Sequence, residues 1–99
     1  GLALSSRNVR LSNEARRQSP IIFKALNAAQ LAFRNGERGS EVLEKIARDI
    51  MSDAPLCRVE YVTVSNSKTL IRTEKCSEQS VMCVACWFDD VRLIDNIEF

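Results

Sequence analysis

No histidine occurs among the 99 residues of this chain. Catalytic triads, Cys–His dyads, two-histidine zinc sites and acid–base chemistry run by imidazole are therefore excluded within it. Also missing is any apolar run approaching the roughly 18 to 20 residues needed to cross a bilayer. The N-terminal GLALSSRN lacks the long greasy stretch of a signal peptide. These absences lead to the expectation of a soluble, cytoplasmic protein with no membrane partner. Aromatic residues are scarce, at 6%, and no RNA- or DNA-binding motif stands among them, which argues against nucleic acid as a partner. Internal repeats and low-complexity segments are absent as well.

What remains is the composition of an ordinary folded domain. Apolar residues make up 45% and charged residues 27% of the chain, levels that disfavour disorder, collagen-like repeats and coiled coil. The length accommodates one domain and not two. The net charge of +1 conceals an asymmetry: up to Arg38 seven basic residues face only Glu14 and Glu37, and beyond it seven basic residues face eleven acidic ones. A basic N-terminal third can face phosphates or an acidic partner, or simply form a solvated helix face.

Four thiols, Cys57, Cys76, Cys83 and Cys86, include a CxxC, a spacing that invites a zinc or redox reading. The surrounding VMCVACWF reads instead as a buried strand, in which positions three apart point to opposite faces and cannot converge on one metal. A zinc knuckle would want a glycine-bearing turn, and a thioredoxin-like motif would open a helix. Buried structural thiols and no metal site are expected.

Helix signals come first along the chain. Residues 1 to 11 have no helical period and read as a loop. Ser12 is a fair N-cap with Glu14 in the first turn, giving a short helix over Asn13 to Gln18. Ser19 and Pro20 read as a fresh N-cap and N1 pair opening a helix to Arg34, with Ile22, Leu26, Ala29 and Phe33 on one face. Asn35 and Gly36 supply its stop. Ser40 reads as the cap of a third helix, striped by Leu43, Ile46, Ala47 and Ile50. On its wet side Glu41–Lys45 and Glu44–Arg48 have favourable i,i+4 spacing.

Strand signals follow Pro55. The segment Cys57 to Val64 alternates, placing Val59 and Tyr61 on one face and Arg58 and Glu60 on the other. Ser65, Asn66 and Ser67 turn the chain, and Thr69 to Thr73 form a short extended piece. Val81 to Phe88 and Val91 to Ile97 are strands joined by a tight hairpin at Asp89 and Asp90. Three helices followed by about three antiparallel strands predict an α+β two-layer sandwich over residues 1 to 99. That fold alone decides no function.

The two ends carry a resemblance. GLALSSRN at residues 1 to 8 and RLIDN at Arg92 to Asn96 resemble motifs of the pantothenate synthetase family, also called pantoate–beta-alanine ligases. Between them Leu11–Ser12, Tyr61–Val62, Thr69–Leu70 and a strand ending in Trp87 fit the family's spacing, so the resemblance covers the whole chain. Leu4 stands where the family usually has Met, an apolar swap of similar volume. Asp89 stands where it generally has Gly, a matter of stability rather than activity.

This resemblance implies the C-terminal lid of a two-domain enzyme of pantothenate biosynthesis, a precursor route to coenzyme A. ATP, with Mg²⁺ carried by the nucleotide, adenylates pantoate, and beta-alanine then displaces AMP. The family's histidine-containing nucleotide motif and pantoate site belong to the N-terminal nucleotide-binding domain, in keeping with the absence of histidine here. That domain is the implied partner, the full-length protein is an implied homodimer, and the 99 residues alone are expected to be inactive.

Ser5, Ser6 and Arg7 are the implied contacts to the ATP phosphates, and Arg7 the implied catalytic group. Two hydroxyls, their backbone N–H groups and a guanidinium fork suit phosphate oxygens. Such donors help most where charge grows on departing pyrophosphate. Arg92, Asp95 and Asn96 receive no catalytic role, because polar groups at strand ends usually satisfy one another. Arg10, Arg16 and Arg17 can extend the positive field. A non-catalytic interaction module, or a nucleic-acid-binding one, using the basic N-terminal third is the alternative reading.

Overall fold

The computed structural model describes residues 12–99. Three helices precede three strands: α1 Asn13–Gln18, α2 Ile21–Arg34, α3 Ser40–Met51, β1 Cys57–Asn66, β2 Ser80–Phe88 and β3 Val91–Glu98. The strands form one antiparallel sheet in the order β1-β2-β3. α2 packs on α3, and the pair covers one face of the sheet, α3 over β1 and α2 over β3. This is the expected α+β two-layer sandwich.

Between the layers lie the side chains that the helical period singled out, Ile22, Leu26, Ala29 and Phe33 from α2 and Leu43 and Ala47 from α3, joined by Met51. The sheet contributes Val62, Val64, Met82, Val84, Cys86, Phe88 and Leu93. Each large apolar side chain fully buried here stabilises the fold by about 1.5–3 kcal/mol relative to exposure. β2 is the central strand and is buried along most of its length, which is why it reads as a continuous apolar run.

The short helix α1 is capped as its sequence suggests. Ser12 Oγ accepts the Ala15 N–H at 3.1 Å. Gly36, at φ 111°, closes α2 in a conformation that suits glycine.

Two expected caps fall elsewhere. Ser19 does not cap α2: its hydroxyl donates to the Arg16 carbonyl at 3.1 Å and its N–H to Ala15, so it closes α1. Pro20 is the N-cap of α2 and makes no side-chain cap bond. With only two residues between the helices, the nearest free carbonyl belongs to the preceding turn. Ser40 does not cap α3 either. Gly39 holds that place without a side-chain cap, and Ser40 is the first helical residue, fully buried, its hydroxyl without a partner. The cause is the chain crossing above it: Ser40 N–H donates to Glu74 O, Cys76 N–H donates to Arg38 O, and Gly39 bridges Lys75. These bonds fix the α2–α3 connection from outside the helix.

The surface pairs of α3 also rearrange. Lys45 bridges Asp49 at 2.7 Å, and Glu44 takes Arg72 at 2.9 Å together with the Val64 N–H at 2.8 Å. A half-buried carboxylate at the helix–sheet border gains more from a backbone donor than from an exposed helix neighbour.

In β1 the register shifts between Val59 and Tyr61, so that Val59 faces Cys86 and Tyr61 faces Ala85. The bulge sends Val59 toward the helices and Tyr61 to the outer face, against the expectation that they share one. Cys83 and Cys86 do lie on opposite faces, as the strand reading required: Cys86 is in the helix-covered core and Cys83 stands opposite Thr63 and Asn96. The extended piece after Thr69 amounts to one bridge, Ser65 to Arg72. Asp89 turns the β2–β3 hairpin at φ 57°.

Candidate functional site

The expected phosphate-facing group, Ser5, Ser6 and Arg7, lies outside the described residues, as do Leu4 and Arg10. What is described is the part of the fold that follows that segment in the chain. α1 starts immediately after it, and its far end is tied to the sheet: Gln18 Oε1 accepts the Leu56 N–H at 2.9 Å. Around this tie runs a groove of about 590 Å³ lined by α1, the start of α2 and Asp53, Ala54 and Pro55. Arg17 and Lys24 stand at its rim with Glu14 and Asp53. Glu14 bridges Arg17 and accepts from Gln18 at 2.8 Å, and the Arg17 hydrogen bond, helped by Gln18, holds its carboxyl below the usual 4.5. The positive field expected of Arg17 is largely spent on Glu14.

Arg38 is committed to the fold as well. Its guanidinium donates to the Phe33 carbonyl at 2.6 Å and lies 3.9 Å from the centre of the Phe33 ring. It borders a second groove, of about 630 Å³, between the α2–α3 connection and the segment after β1. Glu37, Glu41 and Glu74 alternate there with Arg38, Arg72 and Lys75, a mixture that favours neither sign of ligand.

The RLIDN segment is built into the sheet. Arg92 forks onto Glu60, Nε to Oε1 at 2.8 Å and Nη2 to Oε2 at 2.8 Å, and Trp87 Nε1 donates to the same carboxylate at 2.9 Å. The Arg92 bonds, followed by that of Trp87, hold the Glu60 carboxyl below its ordinary range. Arg58 lies over the Trp87 ring at 5.9 Å and donates to the Asp89 carbonyl at 2.9 Å. All three strands are thus pinned beside the bulge on the sheet's outer face. Asp95, opposite Val84, is buried and accepts the Asn96 N–H at 2.8 Å. Arg92 is thus satisfied by Glu60 of β1 and Asp95 by the neighbouring backbone, rather than by one another. Sequence reasoning missed Glu60 as the anchor, since nothing in an alternating strand marks its bulge.

A family model described as pantoate-beta-alanine ligase matches residues 1–98. The chain belongs to that family. A pantothenate synthetase of Gluconobacter oxydans is 43% identical over 97 residues, covering 98% of this chain and 35% of the relative. A pantoate–beta-alanine ligase of Arabidopsis thaliana is 41% identical over 99 residues, covering 99% of this chain and 31% of the relative. The crystal structure of pantothenate synthetase from Thermus thermophilus superposes with a TM-score of 0.86 at 33% identity, over 99% of this chain and 35% of that one. The chain therefore spans about a third of the length of the ligases it matches. Among the described residues no helix is long and apolar enough to cross a membrane.

Proposed function

We propose that this chain is the C-terminal lid of a cytoplasmic, ATP-dependent ligase that joins pantoate to beta-alanine through a pantoyl adenylate, with Ser5, Ser6 and Arg7 contacting the ATP phosphates. The observation that carries this reading is the family match from residue 1 to 98, made to relatives about three times as long. The partner is the N-terminal nucleotide-binding domain of the same protein, and the whole enzyme is a homodimer. Mg²⁺ enters as the counterion of the substrate ATP.

In the first step a pantoate carboxylate oxygen attacks the α-phosphorus of ATP and pyrophosphate leaves with the electron pair of the broken P–O bond. In the second the amine of beta-alanine attacks the acyl carbon, AMP leaves, and the amine gives up a proton. Charge grows on the departing pyrophosphate, so the Arg7 fork acts more strongly in the transition state than in bound ATP. Closure of the lid also keeps water from the acyl adenylate.

The test is single-turnover adenylation by the full-length enzyme at saturating ATP, which separates chemistry from binding. Arg7→Ala is expected to slow adenylation by about 10² to 10³ with a smaller loss of ATP affinity. Arg7→Lys recovers part of the rate, and Ser5→Ala and Ser6→Ala are milder because the backbone donors remain. Arg34→Ala, exposed in the last turn of α2, serves as the control and stays within a few-fold of the parent. An Arg7→Ala enzyme that adenylates at the parental rate removes Arg7 from the reaction.

A further inference from the structure

The central strand carries more apolar residues than the helices cover. Met82, Val84, Cys86 and Phe88 turn into the core between sheet and helices, so Val81, Cys83, Ala85 and Trp87, which alternate with them, turn to the other face. A sheet with one solvated face alternates apolar-in with polar-out, whereas a strand that is apolar at every position belongs to a sheet covered on both sides. Among the described residues α2 and α3 supply that cover on one face only.

The strands beside β2 agree with it on the outer face. Ala85 stands between Tyr61 of β1 and Ile94 of β3, and Ile94, an apolar residue on an edge strand, is 48% exposed. In the next row Trp87 stands between Arg58 and Arg92. Its indole N–H donates to Glu60 at 2.9 Å, Arg92 fixes the same carboxylate through two bonds of 2.8 Å, and the Arg58 guanidinium lies 5.9 Å from the ring centre. Exposed ion pairs of this kind add little to the stability of a fold. They do hold a large flat side chain in one rotamer before anything docks on it, which lowers the entropy lost when it is covered. Trp, Tyr and Arg are also the residue types in which the energetic centres of interfaces are richest.

We propose that this outer face, centred on Trp87, Tyr61 and Ile94, is the surface by which the lid is seated on the N-terminal domain of the same protein. The inference rests on the reading of the chain as one domain of a longer ligase and is independent of the role given to Arg7. The chain spans about a third of the length of the ligases it matches, so on that reading the larger part of the protein is available as the occupant. It joins through residues 1–11, and α1, which follows them, is tied by Gln18 to Leu56 at 2.9 Å. Leu56 directly precedes the first paired row of the sheet, Cys57 with Phe88, and Trp87 lies in the second. The occupant and the aromatic centre are therefore at the same end of the sheet.

The area is of the right size. Nine residues of β2 at about 3.4 Å each, in a sheet of three strands about 4.8 Å apart, present roughly 400 Å². Counting both partners gives roughly 800 Å², within the span of about 600–1,500 Å² of contacts between domains of one chain.

The test labels the 99-residue chain and the full-length protein with hydroxyl radicals, both without substrates, and reads the modification of single residues by mass spectrometry. Trp87, Tyr61 and Ile94 are expected to be modified at least ~5-fold less in the full-length protein, because the centre of an interface excludes water. Phe23 and Leu31, exposed on α2, are expected to be modified equally in both. In Ile94→Asp the full-length protein regains the labelling of Trp87 and Tyr61 seen in the 99-residue chain, while the urea midpoint of that chain is unchanged, since Ile94 is exposed in it. Equal labelling of the outer face in the two parent proteins overturns the proposal. So does protection of Phe23 and Leu31 in its place, or protection in the 99-residue chain that grows with its concentration, the mark of a second copy as occupant. The parental comparison needs no variant to fold. Labelling reads packing and not adenylation, so a full-length protein that is protected as expected yet does not adenylate removes the ligase reading and leaves the seat standing.

Discussion

Replacing Ser40 with alanine distinguishes two descriptions of the start of α3 by the sign of one measurement. If Ser40 were the N-cap, its hydroxyl would satisfy a free N–H of the first turn, and Ser40→Ala would cost about 1 kcal/mol. In the fold it is the first helical residue, fully buried, with an unpartnered hydroxyl. A buried polar group without a hydrogen bond costs about 1–3 kcal/mol, and alanine also favours the helical conformation by up to ~0.5 kcal/mol over serine. Against this stand the few dispersion contacts of one oxygen atom, on the order of 0.1–0.2 kcal/mol each. The Ser40 N–H bond to Glu74 at 3.0 Å is a backbone bond and survives. The balance is a gain of about 1 kcal/mol, which in a domain of this size raises Tm by about 4–8 °C. Thermal and urea unfolding of the chain, followed by far-UV circular dichroism, reads the change at unaltered m-value. Ser12→Ala, which removes the hydroxyl that accepts from Ala15, is the matched control and loses about 1 kcal/mol. A Ser40→Ala chain that melts lower than its parent would refute the reasoning, because it would show the hydroxyl to be a partner rather than an orphan.

The Glu60 carboxyl, held below 4.5 chiefly by Arg92, contributes stability that is present above that value and is lost as pH falls through the lower folded pKa. Glu60→Gln therefore flattens the acid side of a stability-versus-pH profile, the remaining slope including that of Glu14, which is shifted the same way; an unchanged acid limb would count against the Arg92 fork. At Asp89, φ 57° suits glycine, so Asp89→Gly is expected to raise stability by up to ~1 kcal/mol and Asp89→Val to lower it by about 1–2 kcal/mol in urea unfolding. Equal midpoints for the two variants would rule out backbone strain at the hairpin.

What the sequence showed plainly was whatever repeats or stands alone. The apolar face of α2 is declared by several residues that agree, and the apolar run of β2 by nearly every position in it, so neither depends on reading one residue correctly. Caps and bulges are single-residue events. Ser12 was legible because the N–H it caps lies three residues along the same chain, whereas the position of Ser40 is set by Glu74 and Cys76, which reach α3 from another part of the chain. The bulge at Glu60 leaves no mark in an alternating strand, yet it decides which face Tyr61 takes and where Arg92 finds its partner. Ser5, Ser6 and Arg7 were read only as a motif, since no helical period marks residues 1 to 11.

The two recognisable segments divide the work that a lid would require. A loop that places donors against a moving charge is useful only if its mounting is stiff, because an error of about 1 Å in placement can cost on the order of 10²-fold in rate. Glu60, Trp87 and Arg92 join all three strands through one carboxylate. The Gln18 bond to Leu56 then couples α1, the helix that follows residues 1 to 11, to the head of β1. On the proposed reading RLIDN has a structural part, as the strand that completes this framework. Loss of the Arg92 fork would loosen the sheet to which α1 is tied, so on that reading Arg92→Ala is expected to lower both stability and adenylation rate, and Arg7→Ala the rate alone.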